Sequence, residues 1–156
     1  MAEIEEVWHA LEVPFEELFS WLDGDNERPS MEDRAVFRPL MLANPISDKE
    51  LGKIKPDDYA LEWKGDGIRV QVSCNGNERR LFSRTGDDIS NSFPEIIEDI
   101  KFNGVLDGEL LVVKDKKVAP FNNLQQRLNR KKVSDKLISE FPGHVRLYDI
   151  LFDAQE

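Results

Sequence analysis

The residues best placed to do chemistry lie in one short stretch, Glu62-Trp63-Lys64-Gly65-Asp66-Gly67-Ile68-Arg69. A lysine stands beside a turn in which two glycines flank an aspartate. Glycine lets the backbone come close to a ligand, and amides in such a turn can face phosphate oxygens. A lysine amine is a nucleophile once it has lost its proton, and burial or a nearby cation, Arg69 or a metal ion, promotes that loss. A bare Asp-Gly pair serves only a hairpin turn. With Lys64 before it and Arg69 after it, the same turn becomes a candidate phosphate-handling site.

Three further groups follow in order: Phe82-Ser83-Arg84-Thr85-Gly86, Leu106-Asp107-Gly108-Glu109 and Leu147-Tyr148-Asp149-Ile150-Leu151. Singly they are ordinary, since Asp-Gly-Glu suits a turn and a tyrosine on an apolar strand suits a core. Together, behind Lys64-Gly-Asp-Gly-Ile-Arg69, they resemble the motifs of the covalent nucleotidyltransferases, and among these the ATP-dependent DNA ligases of bacterial type. The text between them is similar as well: Arg38-Pro-Leu-Met-Leu-Ala-Asn-Pro45, Arg84-Thr-Gly-Asp-Asp-Ile-Ser-Asn-Ser-Phe-Pro94 and Pro120-Phe-Asn-Asn-Leu-Gln-Gln-Arg-Leu-Asn-Arg-Lys131. The resemblance runs over roughly residues 36–153.

The resemblance implies a role for each matching residue. Lys64 would attack the α-phosphate of ATP, release pyrophosphate and carry AMP as a phosphoramidate. AMP would pass to the 5′-phosphate of nicked double-stranded DNA, and the 3′-hydroxyl would then displace it. Glu62 would help recognise adenine, Asp66 and Gly67 would shape the nucleotide turn, and Arg69 would meet the ribose and phosphates. Arg84 would sit near the sugar and the nick phosphate. Glu109 would reach the ribose or Mg²⁺, and Tyr148, where the family often has phenylalanine, would stack on adenine. Arg127, Arg130, Lys131 and Lys132 form a basic run that could track DNA phosphate or serve as a solvated helix face. Such ligases work in DNA replication, repair and recombination.

The resemblance also implies a shortfall. The family's next motifs, a Glu-Gly pair supplying a metal-binding glutamate and a Lys-x-Lys pair, have no counterpart in the sequence, and neither does its C-terminal OB-fold domain. The expectation is therefore the N-terminal part of an adenylation domain, with open sheet edges and half a nucleotide pocket, unable to seal nicks alone. An RNA ligase or a capping-type nucleotidyltransferase would share Lys64, Asp66 and Gly67. A non-catalytic fragment binding nucleotide or nucleic acid is the remaining alternative.

The motifs need a framework. Tyr59–Trp63, Ile68–Val72, Arg80–Phe82, Val105–Val113 and Val145–Phe152 are β-favouring runs, with Asn75-Gly76-Asn77 as a hairpin turn. Ser92-Phe-Pro-Glu95 predicts a helix capped by Ser92, with Pro94 early and Glu95 at the positive end. Residues 121–132 and 133–140 read as two more helices. Strands interrupted irregularly by helices fit α+β better than a regular βαβ alternation. With the resemblance, this is a partial nucleotidyltransferase (ATP-grasp-like) adenylation domain, an antiparallel sheet with flanking helices, over 34–156.

Before it, residues 1–33 form an acidic helical segment and linker. Ile4, Val7, Trp8 and Leu11 keep helical spacing, Pro14 interrupts, and Phe15, Leu18, Phe19, Trp21 and Leu22 resume it. That apolar face predicts a peripheral helix resting on the main domain.

The chain has 156 residues and a net charge of −10, and the acidic segment carries all of it, with eleven acids against Arg28. The other 123 residues balance, so a polyanionic partner is compatible with the body of the protein. The single cysteine, Cys74, excludes an internal disulfide framework and a Cys-rich zinc site, and reads as a packed thiol. His9 and His144 read as surface residues. An acidic start does not suit a signal or transit peptide, and no apolar run reaches the ~20 residues of a membrane span. Hence the expectation of a cytoplasmic protein without a membrane partner.

Overall fold

The computed structural model describes residues 2–11, 13–31, 34–128, 130 and 132–154. Strands β1 (Ile68–Asn75) and β2 (Glu78–Ser83) form a hairpin in which Asn75 pairs with Glu78 around the two-residue Gly76-Asn77 turn, as the Asn-Gly signal predicts. β3 (Gly104–Lys114) lies antiparallel on the other edge of β1, and β4 (Lys117–Val118) is a short return at its end. β5 (Gly143–Asp153) pairs antiparallel with β3, so the sheet reads β2-β1-β3-β5. The helices are short: α1 (Ala2–Val7), α2 (Glu16–Leu22), α3 (Asp48–Leu51), α4 (Pro94–Asp99), α5 (Phe121–Gln125) and α6 (Asp135–Glu140). This is the expected α+β class, an antiparallel sheet with flanking helices. Among the described residues no helix is long and apolar enough to cross a membrane.

Residues paired across antiparallel strands share a face. Val70, Val72, Leu81, Leu106, Leu110 and Val112 therefore look one way, and they bury against Phe93, Ile96 and Leu124 from α4, α5 and the turn before α4. Each such side chain contributes roughly 1.5–3 kcal/mol on burial. Cys74 is buried, as expected.

Arg127 closes this core. It is fully buried, with its guanidinium held bidentate by Glu95 at 2.8 Å and 2.8 Å. The same group donates to the carbonyls of Ser92 and Phe141 and lies 4.7 Å from the Phe93 ring centroid. The basic run is thus not one solvated helix face. α5 ends at Gln125, and the turn that follows points Arg127 inward while Arg130 and Lys132 stay exposed. Lys131 lies outside the described residues.

Two local expectations change. Ser92 does not cap α4: it sits in a 3₁₀ turn, Ser90–Ser92, and gives its carbonyl to Arg127. Pro94 does open the helix, but Glu95 turns to Arg127 and to the Gly143 amide (2.9 Å). Tyr59–Trp63 is not a strand. β1 already has β2 on one edge and β3 on the other, and its ladder with β3 begins at Ile68. A run upstream of that ladder has no partner among the described residues, and without cross-strand bonds β-favouring side chains do not make a strand.

In the N-terminal segment Val7, Leu11 and Leu18 bury against one another, joined by Ile4, Phe15, Trp21 and Met31. Helical spacing on both sides of Pro14 is realised as α1 with a 3₁₀ turn (Trp8–Ala10), then α2.

Candidate functional site

The other face of the sheet is polar, and four of its residues sit side by side because of register. Arg69 pairs across the strands with Glu109, and Gln71 with Asp107. Asp107 is buried and takes Arg69 in a bidentate grip, with Nε at 3.2 Å from both carboxylate oxygens and Nη2 at 2.6 Å from Oδ2. That bond holds the Arg69 guanidinium even more firmly protonated than usual. Arg69 also donates to the Met41 carbonyl at 2.8 Å, and Gln71 makes two bonds to the backbone of Arg38 at 2.9 Å and 2.6 Å. Residues 38–41 are thereby fastened across this face by side chains of β1.

The lysine-bearing turn is fastened from β3. The Gly67 amide donates to Glu109 Oε1 at 3.0 Å. Gly67 lies so close to β3 that a Cβ there would run into the Leu110 carbonyl oxygen and come within 2.7 Å of Leu111 Cδ2. The second glycine of the motif is required by close approach to the protein's own strand. Lys64, Glu62 and Asp66 are exposed, as are Leu61 and Trp63, at 100% and 90% of their surface.

Tyr148 stands at the irregularity where β5 slips register against β3 between Asp107 and Gly108. It is 43% exposed, with the Arg69 guanidinium 6.0 Å from its ring centroid. Burial pushes its hydroxyl up to about 12, and the Asp107 charge adds to this. Asp107-Gly108-Glu109 is accordingly mid-strand, not a turn.

Ser83-Arg84-Thr85-Gly86 leaves the end of β2 as a turn closed by Ser83 and Asp87, the Ser83 amide donating to the Asp87 carbonyl at 2.9 Å. The hydroxyls of Thr85 and Ser83 donate to the Asp87 carboxylate and hold it below the usual carboxylate range. Arg84 is exposed at the tip. A cleft of roughly 620 Å³ beside this turn is lined by Ser83, Thr85, Asp87, Ile68, Ser92 and Arg130, among others.

The structure thus brings Gly67, Arg69, Glu109 and Tyr148 together on one sheet face, and places Arg130 near the Ser83 turn. Lys64, Glu62 and Asp66 stand clear of any cleft wall described above, and Arg127 belongs to the core. Asp107 is the member that sequence reasoning left without a role. Its signal was available in the strand reading of 105–113, which puts it on the face of Arg69 once the β1–β3 register is known. Among the described residues no three His, Cys, Asp or Glu side chains cluster as a metal site. Mg²⁺ does not need them, since it takes one or two carboxylates with phosphates and water. Asp107 has both oxygens on Arg69, whereas Glu109 gives one oxygen to Gly67, so Glu109 is the carboxylate that fits.

The site is thus a polar sheet face with the Lys64–Gly67 turn at its edge and the Arg69–Asp107 pair at its centre. The family described as "ATP dependent DNA ligase domain" matches residues 40–156, and the chain belongs to that family. A DNA ligase of Archaeoglobus fulgidus is 34% identical over 121 residues, 75% of this chain and 22% of that protein. DNA ligase 1 of Korarchaeum cryptofilum is 35% identical over 128 residues, covering 74% and 23%. A probable DNA ligase of Koribacter versatilis is 37% identical over 122 residues, covering 75% and 21%. The chain spans about a fifth of the length of these relatives. Among solved structures, the ligase domain from M. tuberculosis LigD has a TM-score of 0.46 at 26% identity, covering 59% of this chain and 29% of that one.

Proposed function

We propose that this chain carries the first half of the nucleotide site of an ATP-dependent DNA ligase, with Lys64 as the residue that takes up AMP. The supporting observation is the fastening of the Lys64–Gly67 turn by Glu109 beside the Arg69–Asp107 pair and Tyr148, in a chain of the ligase family. Lys64 Nζ gives up its proton to solvent and attacks the α-phosphorus of ATP, a P–N bond forms, the bond to the bridging oxygen breaks, and pyrophosphate leaves. Arg69, kept charged and aimed by Asp107, stabilises phosphate oxygens as charge shifts. Tyr148 offers a ring face to adenine. Glu109, through its second oxygen, would hold Mg²⁺, which supplies further charge neutralisation at the phosphates. Arg84, exposed at the tip of its turn, would meet the nucleotide's sugar and phosphates and then the nick phosphate, and Arg130 would meet phosphates of the duplex.

Completing the ligation cycle takes more polypeptide than these 156 residues. Support comes from the share of the relatives' length and from exposed apolar side chains: Leu61 and Trp63 before the site, and Leu147, Ile150 and Phe152 on β5. The test is intact mass after incubation with ATP and Mg²⁺, beside Lys64→Ala. A gain of one AMP that requires Lys64 is the expected result. A gain that persists in Lys64→Ala, or uptake of GMP in preference to AMP, would overturn the assignment.

A further inference from the structure

The N-terminal segment lies outside the matched ligase domain, yet it touches one of the motif turns directly. Gly86 has φ +84° and is buried, although it belongs to a tight turn whose neighbours Arg84, Thr85 and Asp87 are exposed. What covers it is the imidazole of His9. A Cβ on Gly86 would run into His9 Cε1 and come within 2.6 Å of Nδ1 and 2.8 Å of Nε2. The ring occupies the space that a Cβ on Gly86 would need.

His9 is itself held in a row of rings. Trp8 is 4.4 Å from it, Phe37 is 4.9 Å from it and edge-on, and Phe37 meets Phe82 edge-on at 5.9 Å. Phe82 is buried and is the residue immediately before Ser83. One imidazole therefore touches the far end of the turn, at Gly86, and leads through Phe37 to its root, at Phe82. His9, which the sequence suggested as a surface residue, is half-buried among these rings. Its carrier has its own core of Val7, Leu11 and Leu18, so the ring is presented from a packed unit. The strong acidity of that unit makes it a poor phosphate binder and suits a role inside the scaffold.

We propose that His9 is a positioning residue of the nucleotide site, clamping the Ser83–Gly86 turn so that Arg84 is presented to ATP. The proposal rests on the nucleotide reading above. Contact with Gly86 removes the freedom of the glycine, and the hydroxyl bonds to Asp87 fix the other side of the turn, with the long Arg84 side chain left exposed between them. Asp87 is held ionised chiefly by Thr85 and Ser83, and the nearby His9 acts in the same direction. The requirement is for an aromatic ring that fills the space beside Gly86.

The test uses the full chain in two measurements. Hydrogen exchange without ATP compares wild type, His9→Ala and His9→Phe. Initial rates of AMP uptake at limiting ATP compare the same chains with Arg84→Ala and with His9→Ala/Arg84→Ala. Loss of an aromatic contact is expected to speed exchange over 83–88 by on the order of three- to tenfold in His9→Ala, with β3 unchanged. His9→Phe should restore protection and uptake. His9→Ala should slow uptake, and in the Arg84→Ala background it should slow it no further. Unchanged exchange over 83–88, or faster exchange with an unchanged uptake rate, or effects that multiply in full with Arg84→Ala, would each overturn the clamp. A wild-type chain that takes up no AMP and binds no ATP by equilibrium dialysis would instead overturn the nucleotide reading and the positioning role with it. The exchange contrast, read without ATP, separates that result from failure of the contact itself.

Discussion

The two faces of the sheet each centre on an arginine held by a carboxylate, and the two pairs do opposite work. On the helix side Arg127 is fully buried, and Glu95, two backbone carbonyls and the Phe93 ring use up its guanidinium. It ties the turn before α4, the turn after α5 and the start of β5 into one block. On the polar side Arg69 is gripped by buried Asp107 yet keeps about a quarter of its side chain in solvent beside Tyr148. A guanidinium with every donor spoken for is structural, whereas one oriented by a buried carboxylate but still open on one side is ready for a ligand. The difference comes from what lies above each: apolar helices in one case, an irregular strap at residues 38–41 and open space in the other.

Removing the structural pair should have the largest effect. Arg127→Ala leaves Glu95 without its cation inside the protein and should cost about 3–5 kcal/mol, read as a fall in the urea midpoint. Asp107→Asn removes the charge that aims Arg69. It should cost less, about 1–3 kcal/mol because Arg69 is partly solvated, while slowing AMP uptake out of proportion to that loss. If uptake instead follows stability alone, the two pairs are of one kind.

Acid should separate the faces further. Burial alone would raise the Glu95 carboxyl, but Arg127 and the Gly143 amide outweigh it and hold the group below its usual range. A depressed folded pKa means that the stabilisation is complete above the ordinary glutamate value, about 4.3, and is lost as pH falls through the lower folded value. Urea midpoints between pH 6 and 3 should show this fall, and Glu95→Gln should flatten it. The smallest effect on stability belongs to Lys64→Ala. With Lys64 exposed, the change should stay within about 0.5 kcal/mol while AMP uptake disappears. A large loss of stability would show that Lys64 supports the fold.

The fold was legible where local signals and register agree. Gly76-Asn77 sets the β1–β2 hairpin, and the alternation in β1 and β3 sorts Val70, Val72, Leu106 and Leu110 from Arg69, Gln71, Asp107 and Glu109. Tyr59–Trp63 was misread because its composition favours a strand but no edge is there to receive it. Arg127 was misread because charge composition places an arginine outside, and only a carboxylate far away in sequence, Glu95, makes its burial tolerable. The contact of half-buried His9 was missed for a similar reason, since nothing near it in sequence announces Gly86.

By itself the sequence determined the residue types, their order and their local conformational preferences. Those suffice for the α+β class, the lysine turn, the family resemblance and the two helical pieces before residue 31. Tertiary structure alone decided which charges are spent on the fold and which remain for a ligand. That choice depends on partners distant along the chain: Glu95 for Arg127, Asp107 for Arg69, Glu109 for the Gly67 amide, and His9 for Gly86. Desolvation and pairing are properties of the packed neighbourhood, and they exist only once β1, β3 and the N-terminal helices have come together.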